Sequence, residues 1–538
     1  MRGTTAHHRT TADRRTSAKQ SRLALQLAIL LAISCLTAVA APRISLTNED
    51  ARVMTTMFRA YFARYSQKPN RDPAIQTLGR EFGASPKGVR ETFGDPVKTY
   101  QALAKGLGIM AMGSWDEQRE MAALVDMRLP AKLAEPGETL QVRIGPLYER
   151  SGPIEGEYVI RVGLEGPNAT AIAEAVELPY RALEDKDVAL QIPDAVGDGL
   201  YRVTYALEAV EGEKKIPLIS VKRDLFILND LDQRLDRLAQ GQARFTKAAR
   251  KSPRHRLAAT TVDWLIPKYK SASQARYAGP PALILSFRRG RTVPEPLNYV
   301  TDLALAEELA AALKTAQDPF HERAGDMHLA YLSPSTKELL PLRLYVPSRF
   351  DPAKSYPLVV GLHGASSNEN SFMDFYLGLF KKYAEERGYI ALAPIGPGPF
   401  GGYWDVGGQE VMDVIDLVQK IYPINRKRIY LTGHSMGGGG TMFLGFNHAK
   451  RFAALAPVAG FFGQNAQLAK AKQMPLLIAQ GQQDRIVSVD SARQLHRAAL
   501  ALKMPNVKYI ELEGVGHIQI MASVMKDVFD WFDIHSKK

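Results

Sequence analysis

Cysteine is nearly absent: Cys35 is the only one in 538 residues. It lies in an apolar N-terminal segment. If cleavage follows Ala40, the mature chain has no thiol and no disulfide, and its stability rests on ordinary packing. No His/Cys/Asp/Glu cluster has metal-ligand spacing and no Gly-rich phosphate loop is present, so neither metal nor cofactor is expected. There is no internal repeat. Dense Lys/Arg runs are missing too. Of the +13 net charge, five units fall in the first 22 residues, from Arg2, Arg9, Arg14, Arg15, Lys19 and Arg22 against Asp13. The rest is spread as a solvated surface, which sets nucleic acid aside as a partner.

The basic start leads into Leu23–Val39, which is mostly apolar, and then Ala38-Val39-Ala40 ahead of Ala41-Pro42. This order reads as a signal peptide over 1–40, with no membrane span left after cleavage and a secreted or periplasmic destination. An uncleaved anchor and a lipid on Cys35 are the alternatives, although Ala32 stands where a lipobox has Leu.

Four further regions follow. Residues 41–130 read as helical, with Val53, Met57, Tyr61 and Tyr65 at four-residue spacing behind the cap candidate Thr47. Residues 131–228 hold alternating runs such as "ETLQVRIG" and "GLYRVTYALEAVEG", the pattern of a small Ig-like β-sandwich. Residues 229–325 read as a helical linker, including "TDLALAEELAAALKT" with Thr301 as cap. From 326 to 538, apolar runs ("PLVVGLHG", "YIALAPIG", "RIYLTGHS", "FAALAPVAG", "PLLIAQGQQD") alternate with amphipathic helices. That is an α/β fold with a mostly parallel sheet covered on both faces, whose active residues belong at strand carboxyl ends.

One such end carries "LTGHSMGGGG". Gly433-x-Ser435-x-Gly437 alone is a weak signal, but a buried strand precedes it and a helix follows, so Ser435 falls on a strand-to-helix turn. A serine hydroxyl needs a base, and the base an orienting acid, in the chain order Ser, Asp, His. Asp484 follows "PLLIAQGQQ", and Asp490 starts the next helix. His517 in "EGVGHIQ" stands at a strand exit, whereas His496 and His535 lie within helices. The oxyanion donors would be the N–H groups of Met436 and Ala365, with His363 shaping the latter's loop. Tyr403 and Trp404, in "GPGPFGGYWDVGGQE", are the candidates to line the cleft. Only about fifteen residues separate "PVAG" from "PLLIAQG", too few for a large lid.

Together "PLVVGLHG", "NRKRIYLTGHSMGGGGT", "RFAALAPVAG", "GQQDRIV" and "GVGH" resemble the α/β-hydrolase esterases of the polyhydroxybutyrate depolymerase-like and feruloyl or acetylxylan esterase-like kind. The likeness extends to prolyl-oligopeptidase-type catalytic domains. It implies serine carboxylesterase activity on a small-molecule or polymer-borne ester, through an acyl-enzyme at Ser435 with Asp484 and His517. Some bacterial members carry an immunoglobulin-like domain ahead of the hydrolase, which suits 131–228. Dienelactone hydrolases, close in fold, use cysteine, and the serine here argues against their chemistry. A secreted peptidase of oligopeptidase type is the alternative, without that group's propeller repeats. An inactive envelope binding protein on the same fold is another, and the intact Ser-Asp-His set argues against it.

Overall fold

Between residues 125 and 227, polar and apolar side chains alternate because each strand has one face in a core and one in solvent. The computed structural model describes residues 117–146, 153–181, 184–274, 297–315, 317–365, 367–396, 402–460 and 465–537. The signal segment, Cys35 and the helical positions from Thr47 to Tyr65 lie outside the described residues. The chain divides into two units, 1–229 with 273–290 and 230–272 with 291–538.

In the first unit, helix α1 (Glu117–Leu124) precedes eight strands: β1 (Val125–Arg128), β2 (Leu133–Ala134), β3 (Thr139–Pro146), β4 (Glu157–Glu165), β5 (Val176–Tyr180), β6 (Lys186–Gln191), β7 (Gly199–Glu211) and β8 (Lys214–Ile227). They form a three-stranded sheet, β1-β3-β6, and a five-stranded sheet, β2-β8-β7-β4-β5. Val142, Ile144 and Leu190 of one sheet share a core with Ile160, Val203 and Leu207 of the other. The helical reading had extended to residue 130, but Val125–Arg128 is a strand paired antiparallel with β3. Four residues are too short a window for helix and strand periods to be told apart.

A buried ion pair crosses this core. Nη2 of Arg223 on β8 donates to both carboxylate oxygens of Asp126 on β1, at 2.7 and 2.8 Å. Each residue is 2% exposed. Burial pushes the Asp126 carboxyl up, and the Arg223 charge only partly offsets this. Removing one partner strands the other in a low dielectric. Asp126→Ala is therefore expected to cost the first unit about 3–5 kcal/mol, and the joint change Asp126→Leu/Arg223→Met much less. Urea unfolding of the full chain checks both.

The second unit opens with helices α2 (Leu231–Ala248), α3 (Pro253–Gln274) and α4 (Tyr299–Thr315). These are not a free linker, because they are bonded to the strands that follow. Thr260 on α3 donates to the Ala330 carbonyl at 2.6 Å, and Thr261 accepts from the Ala330 N–H at 3.0 Å. Helix α4 begins at Tyr299, two residues before the expected cap: Asn298 Oδ1 accepts from Thr301 N–H at 3.4 Å, and Asp302 accepts from Asn298 N–H at 3.1 Å.

The strands are β9 (Gly325–Leu332), β10 (Leu339–Val346), β11 (Tyr356–Leu362), β12 (Ile390–Pro394), β13 (Ile424–His434), β14 (Ala454–Val458), β15 (Leu476–Gly481) and β16 (Val507–Leu512). Their order across one sheet is β16-β15-β14-β13-β11-β12-β10-β9. The β9–β10 hairpin is antiparallel, β10 pairs antiparallel with β12, and the rest run parallel. This crossed order, with β12 between β10 and β11, is that of an α/β-hydrolase fold. The helices are α5 (Leu379–Arg387), α6 (Val406–Ile421), α7 (Met436–Asn447), α8 (Val489–Ala501) and α9 (Gln519–Asp533). Ahead of α5 the chain makes a π-turn at Ser371–Phe375, and Leu377 (φ 59°) and Gly378 (φ 67°) turn it into the helix. Phe380 of α5 and Val524 and Phe529 of α9 pack on Val359, Tyr430 and Leu477 of the sheet. No helix among the described residues is long and apolar enough to cross a membrane.

Candidate active site

Strands β13, β15 and β16 run parallel, so their carboxyl ends, followed by Ser435, Asp484 and His517, open on one edge of the sheet. Ser435 is the turn between β13 and α7. Its φ of 58° and ψ of −114° are strained for a residue with a side chain. Three contacts hold the turn in place. The Ser435 N–H donates to the Val458 carbonyl at 3.0 Å, and the Gly439 N–H to the Ser435 carbonyl at 3.1 Å. The third is the close approach of α7 to the sheet. A Cβ on Gly437 would lie 1.9 Å from the Leu362 carbonyl oxygen, so only glycine fits there.

The three candidate residues form a bonded row. Ser435 Oγ lies 2.9 Å from His517 Nε2, and His517 Nδ1 lies 2.7 Å from Asp484 Oδ2. Asp484 is acceptor-only, so Nδ1 carries the proton and Nε2 receives the serine's hydrogen bond. Ser435 is partly exposed, while Asp484 is 7% and His517 8% exposed. Burial pushes the Asp484 carboxyl up. The bond and charge of His517, with the N–H groups of Val487 and Ile486, outweigh this and hold it below its ordinary value. Those N–H groups reach Asp484 Oδ1 at 2.8 and 2.9 Å, and Gln480 Nε2 reaches Oδ2 at 2.7 Å. A carboxylate with that many donors stays charged and still, which is what orienting an imidazole requires. Asp490 makes no such contact; its N–H bonds to the cap residue Ser488 at the start of α8.

Met436 is the first residue of α7, where a backbone N–H has no intrahelical acceptor. The loop holding Ala365 borders Ser435: a Cβ on Gly364 would sit 3.4 Å from Ser435 Cβ. His363 is buried within that loop. Its Nδ1 lies 2.8 Å from the Gly364 carbonyl, and its Nε2 faces the Ile395 carbonyl. Both ring nitrogens thus meet backbone.

Tyr403 does not line the cleft. It is fully buried, its hydroxyl donates to the His363 carbonyl at 3.2 Å, and its ring fills the space against Gly440. It props the loop that borders Ser435 and has no face left for a ligand. Trp404 turns outward and is 48% exposed. The two aromatics are adjacent in the chain, yet one is sealed and the other open to solvent.

His434 was missed in the sequence. It is the variable position inside Gly433-x-Ser435, and nothing in a lone histidine there signals a contact. Its Nε2 donates to the His517 carbonyl at 2.7 Å, so its Nδ1 accepts from the Tyr376 hydroxyl at 3.0 Å. Burial, then the nearness of His517, pulls its imidazole down to about 3. It is a neutral strut under the backbone of the candidate base. Among the described residues, no group of three or more His, Cys, Asp or Glu is placed to hold a metal ion.

Loss of one bond to a buried carbonyl costs about 1–3 kcal/mol. His434→Leu should therefore lower turnover on the order of tenfold to a hundredfold. The unfolded chain takes up this proton at its ordinary value of 6.5 and the folded chain at about 3. The fold therefore loses stability as pH falls through that window, by at most about 1.4 kcal/mol per pH unit. Urea melts between pH 4 and 7 should show a shallower slope in the variant.

The dienelactone hydrolase family model matches residues 405–518. A bifunctional acetylxylan esterase/xylanase of Neocallimastix patriciarum is 26% identical over 227 residues, covering 35% of this chain and 32% of the relative. Feruloyl esterase B of Piromyces equi is 28% identical over 156 residues, covering 26% of this chain and 28% of the relative. The chain spans under a third of the length of either curated relative. Among solved structures, a feruloyl esterase module from Clostridium thermocellum complexed with sinapinate is 18% identical with a TM-score of 0.36, covering 40% of this chain and 89% of that one. The only cysteine, Cys35, lies far outside the family match. Over residues 405–518, which include Ser435, Asp484 and His517, the chain is thus similar to the dienelactone hydrolase family, within an α/β-hydrolase fold and with serine at the turn.

Proposed function

We propose that the second unit hydrolyses carboxylic esters by acyl transfer through Ser435. The observation that carries this is the bonded row Asp484–His517–Ser435, ending on a partly exposed hydroxyl at a strained turn. His517 Nε2 takes the hydroxyl proton as Ser435 Oγ bonds to the ester carbonyl carbon. The carbonyl oxygen becomes an anion, received by the N–H groups of Met436 and Ala365. The carbon–oxygen bond to the alcohol then breaks, and the alcohol leaves with the proton held by His517. Water repeats the sequence in reverse roles, releasing the acid and freeing Ser435. Asp484 stabilises the imidazolium in both halves and stays ionised.

We infer a preference for an apolar or aromatic acyl group. Trp404 (48% exposed), Ile486 (60%) and Ile518 (41%) are large apolar side chains left open to solvent. Ile518 adjoins His517, and the Ile486 N–H is bonded to Asp484. Curated relatives named as acetylxylan and feruloyl esterases support an ester borne on a carbohydrate polymer as the natural substrate. A secreted or periplasmic location is part of the same proposal, supported by the basic, apolar and Ala-x-Ala order of the first 40 residues.

Hydrolysis of nitrophenyl acetate, butyrate and octanoate and of a feruloyl ester tests this reading. Ser435→Ala should lower turnover on the order of 10⁴ to 10⁶-fold. Activity that survives the change would end the proposal. Trp404→Ala should raise KM for the feruloyl ester by about tenfold and for the acetate little, since one buried aromatic contact is worth about 1–2 kcal/mol.

A further inference from the structure

Beyond the Ser435 site lies a buried cluster of titratable groups, attached to the far leg of the loop that borders the nucleophile. His328 on β9 places Nδ1 3.0 Å from Asp302 Oδ2 on α4, and Nε2 3.0 Å from Glu369 Oε1. The three residues are 2%, 4% and 3% exposed. Carboxylate oxygens accept and do not donate, so both ring nitrogens carry protons and the ring is an imidazolium. Burial pushes the imidazole down, but the bonds and charges of Asp302 and Glu369 outweigh it and hold it up at about 9. Glu369 Oε2 is buried and has no hydrogen-bond partner among the described residues. The compensation of this carboxylate therefore comes through Oε1, from His328.

Two cations lie nearby, and one of them, Arg343, also feels the charge of Asp302. Arg343 on β10, opposite His328 in the register, bonds to Asp326, Asp374 and Asn370. Lys381 on α5 also bonds to Asp326 and Asp374. Trp264 of α3 meets the His328 ring edge-on at 4.9 Å. Glu369 and Asn370 come four and five residues after Ala365. Both are pinned to the β9–β10 hairpin, by His328 and Arg343.

We propose that Asp302, His328 and Glu369 are positioning residues: their ionic row holds residues 367–371, and through them 363–365, in place beside Ser435. The proposal rests on the esterase reading, in which that loop supplies an oxyanion donor. It makes α4, from the segment ahead of the hydrolase strands, part of the catalytic arrangement. An oxyanion donor acts on the transition state and is worth about 10²–10³ in turnover, so a loop that is slightly misplaced loses part of that factor.

Full-length Glu369→Gln should lose on the order of tenfold to a hundredfold in kcat with KM changed by less than about threefold. Turnover is counted per site reactive with a fluorophosphonate, so that unfolded protein does not enter. Wild-type kcat should fall above about pH 9, as His328 gives up its proton and leaves Glu369 uncompensated. In Asp302→Asn, which removes one carboxylate from the ring, this fall should move to lower pH by about one unit. If Glu369→Gln does not fold, the wild-type and Asp302→Asn profiles still decide. A lower melting temperature with unchanged kcat per site and an unmoved alkaline fall would show a merely structural cluster and overturn the proposal. A folded wild type that reacts with neither esters nor the fluorophosphonate would instead overturn the serine-esterase reading on which it rests.

Discussion

The close approach of α7 to the end of β11 governs the site. Where a Cβ on Gly437 would meet the Leu362 carbonyl oxygen at 1.9 Å, the bare glycine lets the helix start directly over the sheet. That start places the Met436 N–H beside Ser435 and brings Gly364 against its Cβ. It also forces Ser435 into a positive φ, a strain of about 1–3 kcal/mol that the buried sheet beneath must outweigh. The Ser435 turn, the loop beside it and the helix start thus share one backbone contact. The glycine run costs the helix propensity at this point and supplies clearance.

Burial pushes both buried imidazoles toward neutrality, and their partners decide whether it prevails. His434 and His328 are both shut off from solvent, yet they carry opposite states. His434 faces a carbonyl and a phenol, one acceptor and one donor, so it stays neutral. His328 faces two carboxylates and is cationic. A neutral strut under His517 keeps like charge away from the candidate base, which in the proposed reaction becomes an imidazolium. An imidazolium suits the second place, where it must offset two buried carboxylates. The same side chain thus serves two electrostatic ends within one sheet.

The sequence was informative where chemistry and local period coincide. Apolar runs of the hydrolase strands end at Ser435 and near Asp484 and His517, and the order of types along the chain restricts which Asp and which His to name. These residues do lie within hydrogen-bond reach of each other. Legibility failed where a role depends on the direction of one side chain or on a distant partner. Tyr403 and Trp404 are adjacent and alike in composition, but one is sealed behind His363 and the other faces solvent. His328 sits in "MHLAYLS" with its carboxylate partners 26 and 41 residues away, on a helix and a loop. Such a set has no spacing, so no motif could reveal it. The β-rich first unit was readable by alternation, while its crossing pair Asp126–Arg223, separated by 97 residues, was not.

The helices ahead of the hydrolase strands also read differently once hydrogen bonding is considered. β9 is an edge strand, and an open edge invites pairing with another chain. Threonine hydroxyls on α3 occupy the Ala330 N–H and carbonyl, so at this residue the edge is covered by a helix. A hydroxyl can both donate and accept, which is why two adjacent threonines, Thr260 and Thr261, can satisfy both backbone groups of one residue. Helical periodicity shows that such a segment is amphipathic but not what its buried face covers. Here that face covers the strand that also carries His328, so edge protection and the ionic row come from the same packing of α3 and α4 on β9.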